Sequence, residues 1–307
     1  MPDSEPSRVP AHIAIVTAVA ARDLDEDLPP LAGALQAAAI RHSVVSWDDD
    51  GIDWTAFDLA LLRSTWDYTQ RLDEFLDWIT RTATQTTLLN PQAVVRWNTD
   101  KHYLHELAQA GIATVPSVFI EPGHDPARSI ADFLLRQREA EFVVKPAIGA
   151  GSRDAQRHGR DEVAAAIEHA QRLLADRRSV LLQPYLDRVD EAGETALIFF
   201  AGQFSHAIRK GPLLRRGEGP TRALFATEQI SARIPDNDEL LLAKQTLAAM
   251  PFDEPLLYAR VDLIRAADGS PRVLELELTE PSLFFDHAPG AAARFVQAIA
   301  DRAKAAA

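Results

Sequence analysis

Four charged residues near the C-terminus, Arg260, Asp262, Glu275 and Glu277, have types and spacing that suggest chemistry. They lie in Leu257-Tyr-Ala-Arg-Val-Asp-Leu-Ile and Val273-Leu-Glu-Leu-Glu-Leu-Thr-Glu280. Between these alternating apolar runs stands Asp268-Gly269, a dipeptide that favours a two-residue hairpin turn. Folded about that turn, facing residues have numbers adding to 537, so Asp262 meets Glu275 and Arg260 meets Glu277. Side chains two apart share a face, which puts these four on one side and Val261, Leu263, Leu274, Leu276 and Leu278 on the other. Opposed residues have Cβ atoms only about 4.5–5.5 Å apart, and like charges there repel. Three carboxylates beside one arginine invite a cation. Hard oxygen donors with open positions suit Mg2+, which keeps a few carboxylates and takes its other ligands from phosphate and water. The alternative is an ordinary strand pair whose charged face meets solvent.

Other cations stand at suggestive places. Lys145 ends the apolar run Phe142-Val-Val-Lys-Pro146 and precedes Ala147-Ile-Gly-Ala-Gly-Ser-Arg-Asp154, a small-residue loop that can lie close over phosphates. No Gly-Lys-Ser/Thr follows, so it is not a Walker A loop. Asn98-Thr-Asp-Lys101 supplies N-caps for a predicted helix that Gly111 closes. A lysine at that end is not favoured by the helix dipole, so Lys101 is either an ordinary exposed lysine or one placed for a ligand. In Arg63-Ser-Thr-Trp-Asp-Tyr68, Arg63 could grip a substrate carboxylate through its planar fork, the alternative being a surface salt bridge. Trp66, Tyr68 and His206 could line an acceptor site or serve packing.

These residues need elements to position them. Strands at His12–Ala18, Ser43–Trp47, Phe57–Leu62 and Thr87–Asn90 alternate with helices at Leu28–Ile40 and Leu72–Arg81. That order predicts a small parallel α/β sheet over residues 11–95. Its first loop lacks G-x-G-x-x-G, so it offers no dinucleotide site. Ligands of such sheets gather beyond the strands' carboxyl ends, where Arg63–Tyr68 falls. Downstream we expect a strand at 114–120, helices at 128–138 and 162–175, and a strand at 180–186. A second hairpin, Glu194–Phe200 with Gln203–Lys210, carries Arg209 and Lys210 at its far end. Residues 211–226 read as a long loop of the kind that serves as a lid. Helices at 236–249 and from Ala291 complete the chain.

Composition narrows the classes. The chain has 307 residues, 47% hydrophobic and 25% charged, enough for two or three compact lobes. A net charge of −13 argues against a general nucleic-acid or anionic-membrane binder, though not against a nucleotide held in a local basic site. With no cysteine there is no thiol nucleophile and no disulfide framework. The acidic, Pro-rich residues 1–10 are unlike a signal peptide and read as a flexible tail. No apolar run reaches the ~18 residues of a membrane span. A cytoplasmic protein is expected, with a homodimer left open.

The order of these pieces resembles the ATP-grasp superfamily of carboxylate–amine ligases over residues 98–285. That superfamily includes D-alanine–D-alanine ligase, glutathione synthetase and the ribosomal S6 glutamate ligase. Around Arg63-Ser-Thr-Trp-Asp-Tyr68, Gly193-Glu-Thr-Ala-Leu, Ser205-His-Ala-Ile-Arg-Lys-Gly-Pro and Glu275-Leu-Glu-Leu-Thr-Glu-Pro-Ser, the wording is most similar to the branch that forms D-cycloserine from O-ureido-D-serine. The resemblance implies an N-terminal parallel α/β domain (11–97) followed by a two-lobed ATP-grasp core, with a central lobe at 98–182 and a C-terminal lobe at 183–307. It implies ATP and Mg2+ as cofactors and a small amino-acid-like substrate.

Residue by residue, the resemblance makes Lys101 and Lys145 the phosphate lysines and Gly149-Ala-Gly151-Ser152 the loop over the phosphates. Gln183, Tyr185 and Leu186 become the hinge that meets adenine. Glu194 matches the ribose-binding acid, with Asp190 its rival. Arg209 and Lys210 would face the γ-phosphate, Arg260 the developing charge, and Asp262, Glu275 and Glu277 would hold Mg2+. Substrate would touch Arg63, Thr65, Trp66, Asp67 and Ser282. Three departures stand out: Gln183 where the family often has Glu, Glu277 where Asn is common, and one extra residue before Pro281 with Ser282 replacing a frequent Gly. The implied activity is phosphorylation of a carboxylate followed by attack of an amine. A small-molecule kinase, a non-catalytic ATP-binding module and a structural α/β protein are the rival readings.

Overall fold

The computed structural model describes residues 11–217, 219–220, 229–254 and 256–306. Three sheets organise them. The first contains β1 (His12–Thr17), β2 (Arg41–Ser46), β3 (Leu59–Ser64) and β4 (Thr87–Leu89), in the order β2-β1-β3-β4, all parallel. Helix α1 (Leu28–Ala37) and α2 (Leu72–Thr82) cross between strands. Because both faces are covered, β1 and β3 are apolar almost throughout, as sequences of buried parallel strands must be. One face, with Ile13, Ile15, Leu59 and Leu61, shares a core with Ile198, Phe200, Tyr258 and Phe295 from the C-terminal third. The other packs Val16 and Leu62 against Trp47, Phe75 and Trp78.

Asn98 does not open a helix; it ends α3 (Gln92–Asn98), and α4 begins only at Tyr103 (Tyr103–Gln109). Lys101 sits in the turn between them, its backbone N–H donating to the carbonyl of Ala147 at 3.0 Å. The N-capping types at 98–100 made that turn look like a helix start. The side chain of Asn98 is instead spent on strand backbone, donating to Leu276 O and accepting from Leu278 N, both at 2.7 Å.

The second sheet is antiparallel, in the order β5-β8-β6-β7, from β5 (Val118–Ile120), β6 (Glu141–Pro146), β7 (Gln156–Gly159) and β8 (Val180–Pro184). Helices α5 (Pro126–Arg136) and α6 (Val163–Ala175) bury Phe133, Ala170 and Leu173 against Phe142 and Leu182. β7, too polar to read as a strand, forms by pairing with β6.

The third sheet runs β11-β10-β9-β12-β13, all antiparallel. Its strands are β9 (Glu194–Phe200), β10 (Gln203–Lys210), β11 (Ile230–Arg233), β12 (Tyr258–Arg265) and β13 (Pro271–Glu277). Short α7 (Val189–Ala192) precedes it, while α8 (Asn237–Ala248) and α9 (Ala291–Ala306) cover it. Asp262 faces Glu275 and Arg260 faces Glu277, as the spacing predicts. The route to that register differs. The turn takes three residues, with Ala266 N donating to Ser270 O and Gly269 at φ +86°, so pairs near it such as Leu263/Val273 add to 536. A bulge between Asp262 and Leu263 then restores 537. Leu274 is the extra residue, and it lines the cleft described next instead of pointing into the core with Val261 and Leu276.

Candidate active site

A cleft lies between the second and third sheets, with a rim from the first, and holds about 1500 Å³ including its open mouth. Strands β9, β10, β12 and β13 supply Glu194, Lys210, Asp262 and Glu275; β6 and its loop supply Lys145 and Gly149. Alternation along β12 and β13 turns their charged residues into the cleft while Val261, Leu263 and Leu276 seal the underside.

The charges form one network. Asp262, 2% exposed, accepts from Arg260 Nε and Nη2, both at 2.8 Å, and from Lys210 Nζ at 2.6 Å. Burial alone would raise its carboxyl, but Arg260 and Lys210 hold it well below the usual range. Lys210 also pairs with Glu194 at 2.5 Å, Arg260 with Glu277, and Lys101 with Glu275 at 2.8 Å. Burial pushes Glu194 up to about 8 despite Lys210, and Glu277 up to about 7 despite Arg260. Lys145 differs: among the described residues no carboxylate lies within ion-pair distance of it, and burial lowers its ammonium. A desolvated lysine left without an acid suits an anion arriving from outside.

Around Lys145 stand the other sequence-predicted nucleotide residues. Gly149, Gly151 and Ser152 line the cleft, and Lys101 Nζ donates to Gly149 O at 2.7 Å, tying the loop to the acid face. Gln183, Tyr185 and Leu186 line it as well, although Gln183 Nε2 already donates to Ser117 Oγ at 3.0 Å. The Tyr185 hydroxyl donates to Asp190, and Arg157 stacks over the Tyr185 ring at 3.6 Å. Asp190 is thus engaged beside the cleft and does not line it, whereas Glu194 does. Of the expected lid, Gly211 to Leu214 line the cleft and Arg216 reaches Asp161 at 2.5 Å; residues 218 and 221–226 lie outside the described residues.

Arg209 and Lys210 are adjacent in a strand and cannot face the same way. Lys210 points into the cleft, while Arg209 donates to the carbonyls of Ala192 at 2.7 Å and Glu191 at 3.0 Å, outside the lining. Arg63 neither meets the cleft nor forms a surface bridge. It is fully buried, donating to Pro281 O at 2.8 Å and to Asp27 at 3.2 Å. Asp27 in turn accepts the backbone N–H groups of Leu283 (2.5 Å), Phe284 (3.2 Å) and Phe285 (2.9 Å). The pair shapes the chain after β13 and so acts on the site at one remove. Thr65 is fully buried and Asp67 accepts from Trp47 Nε1 at 2.8 Å, both away from the lining; Trp66 and Ser282 do line it. His206 is a packing residue, bonded to Leu283 O at 2.8 Å.

Glu280 is the residue that sequence reasoning left without a role. It lines the cleft, is 8% exposed and has the Tyr68 hydroxyl beside its carboxyl. Burial, then the nearby Glu277, pushes its carboxyl up to about 8. Its position in an acid-rich segment was visible, but its neighbour Tyr68 comes from the first sheet's rim.

Comparison with known proteins agrees with this geometry. The sequence profile of the N-terminal domain of D-cycloserine synthetase DcsG matches residues 13–90. The cycloserine biosynthesis protein DcsG of Streptomyces lavendulae is 42% identical over 297 residues, covering 95% of this chain and 99% of its own length. The chain belongs to the D-cycloserine synthetase DcsG family. It is an ATP-dependent ligase with the ATP-grasp fold. The crystal structure of D-cycloserine synthetase DcsG superposes with a TM-score of 0.89 at 41% identity, covering 95% of this chain and 99% of that one. D-alanine–D-alanine ligase from Bacillus anthracis, complexed with ATP, shares the fold at 16% identity and a TM-score of 0.66, with 97% and 98% covered. Among the described residues, no helix is long and apolar enough to cross a membrane.

Mg2+ can be tested against the acid face. Asp262, Glu275 and Glu277 offer the hard oxygen donors it takes. Among the described residues no three His, Cys, Asp or Glu side chains are gathered as a metal site, because these acids are turned toward Arg260, Lys210 and Lys101. The donor chemistry fits, and those lysines are the groups that an incoming triphosphate would draw off.

Proposed function

We propose that the chain activates the carboxylate of a small amino acid as an acyl phosphate and closes it onto the molecule's own side-chain nitrogen, the D-cycloserine-forming reaction of its relatives. The observation that supports this most directly is Lys145, a cleft lysine with no carboxylate partner among the described residues, facing the acid set of β12 and β13.

In this reading Lys145 and Lys101 hold the phosphates under the Gly149–Ser152 loop, Gln183–Leu186 meet adenine, and Glu194 takes the ribose. Asp262, Glu275 and Glu277 would hold Mg2+, which supplies charge neutralisation on the transferring phosphoryl group. A carboxylate oxygen attacks the γ-phosphorus and ADP leaves. The side-chain nitrogen then attacks the activated carbonyl, and phosphate leaves as the C–N bond forms; water cleaves the ureido C–N bond, so the carbamoyl group of O-ureido-D-serine leaves as ammonia and CO2. Arg260, fixed by Asp262, Glu277 and Ser282 O (3.1 Å), is placed to stabilise the oxyanion between these steps. Gly211–Leu214 help exclude water, which would hydrolyse the acyl phosphate. With ATP as co-substrate, the cytoplasm is the compartment that suits it.

The test is incubation with ATP, Mg2+ and O-ureido-D-serine, following ADP, phosphate and the ring product by mass spectrometry. Hydroxylamine added during turnover should divert the acyl phosphate to a hydroxamate. ADP with a stable phosphorylated product would instead mark a kinase, and bound ATP without turnover a binding module.

A further inference from the structure

The acids lining the cleft are not equivalent. Asp262, Glu275, Glu277 and Glu194 each have a lysine or arginine partner. Glu280 has none among the described residues, although it is as buried as the phosphate-side Lys101. Its carboxyl stands beside the Tyr68 hydroxyl, with Glu277, Lys101 and Glu275 the charges acting on it, and the wall it shares with Trp66, Tyr68, Ser282 and Phe284 is largely aromatic. A carboxylate held in such a place is costly unless a cation or a proton completes it.

We propose that Glu280, oriented by the Tyr68 hydroxyl, receives the α-ammonium group of the amino-acid substrate. The assignment rests on the functional reading above in taking that substrate to be an amino acid whose carboxylate reacts. Ring closure to D-cycloserine consumes the carboxylate and a side-chain nitrogen but leaves the α-amino group untouched, so that group needs a place of its own. The cleft offers opposite charges for a zwitterion: Arg260, whose Nη1 reaches Ser282 O, on the carboxylate side and Glu280, two residues before Ser282, on the ammonium side. Aromatic faces of the same wall favour a cation over a neutral group. The segment bearing Glu280 is not free to yield, since Arg63 and Asp27 fasten residues 281 to 285.

Two probes read this out: D-cycloserine, and isoxazolidin-3-one, the same ring without its amino group. Binding is measured by calorimetry on the full chain with a non-hydrolysable ATP analogue and Mg2+. The wild type should prefer the amino ring by about 10–100-fold, the range of a charge-assisted hydrogen bond. Glu280→Gln should reduce that preference below about threefold while leaving the des-amino ring within about threefold of wild type. Under turnover, KM for the amino acid should rise while kcat stays nearly unchanged, whereas a proton-accepting role would lower kcat. Tyr68→Phe, which removes only a hydroxyl, should lose part of the preference and carries the test if Glu280→Gln does not melt cooperatively. A preference that survives in Glu280→Gln, or an equal loss for both rings, overturns the assignment. If the wild type with nucleotide binds neither ring, the functional reading fails first, and the assignment falls with it.

Discussion

Replacing Lys145 with methionine separates nucleotide binding from structural charge balance. Among the described residues Lys145 has no carboxylate partner, so methionine of similar length strands no acid and removes an ammonium that burial already disfavours. Without nucleotide, stability should change by about 1 kcal/mol or less, as for volume-conserving swaps. Truncating one side of a desolvated charge contact costs about 2–5 kcal/mol. A value near ~2.7 kcal/mol is ~100-fold in Kd. At a nucleotide concentration of ~100 Kd, ligand binding stabilises the wild type by ~2.7 kcal/mol; after a 100-fold loss, only by RT ln 2, or ~0.4 kcal/mol. The nucleotide-induced rise in melting temperature should therefore shrink about sevenfold while the ligand-free melt hardly moves. Thermal melts with and without an ATP analogue measure both numbers. An unchanged nucleotide shift would remove Lys145 from the phosphate site, and a collapsed ligand-free melt would show that it balances charge within the fold.

Lys101→Met should do the opposite at first, because it leaves Glu275 without its cation: about 3–5 kcal/mol of stability lost in urea unfolding, before any nucleotide is added. Asp262→Asn should lower turnover per folded molecule by about 10²–10³-fold, with unaltered specific turnover the refuting result. Since Asp262 is also shared by Arg260 and Lys210, a loss of stability accompanies it, and folded protein must be quantified alongside. His169 is held down to about 4 by burial and bonds the carbonyl of Asp154 at 3.0 Å, below the glycine loop. The unfolded chain takes up that proton near the ordinary 6.5, so the stability tied to neutral His169 is complete above 6.5 and drains as pH falls toward 4. His169→Gln should flatten this part of the pH–stability curve, and an unaltered curve would assign the slope to other groups.

What was legible in the chain follows how local the cause is. Period-two alternation placed Asp262, Glu275 and Glu277 on one face because that needs only the pleat. The register was right for a reason the residues did not display: a three-residue turn shifts the pairing by one, and a bulge at Leu274 shifts it back. Asn98 looked like a helix cap because its type suits one, while its partners Leu276 and Leu278 are set by tertiary packing. Arg63 was misjudged for the same reason, its shape serving Asp27 and Pro281. Arg209 could have been excluded from the strand period alone, since its neighbour Lys210 already claimed the inward face. Glu280 escaped because it lies past the end of β13, where alternation stops, and its neighbour Tyr68 belongs to the distant turn after β3.

The clasp between Asp27 and the N–H groups of residues 283–285 has a consequence for anyone re-engineering selectivity. It joins segments from opposite ends of the polypeptide, so the wall proposed to receive the substrate is discontinuous in sequence. Swapping the first ninety residues between relatives would transplant Trp66 and Tyr68 without the strand exit they meet; a chimera that changes selectivity has to carry 280–285 along with them.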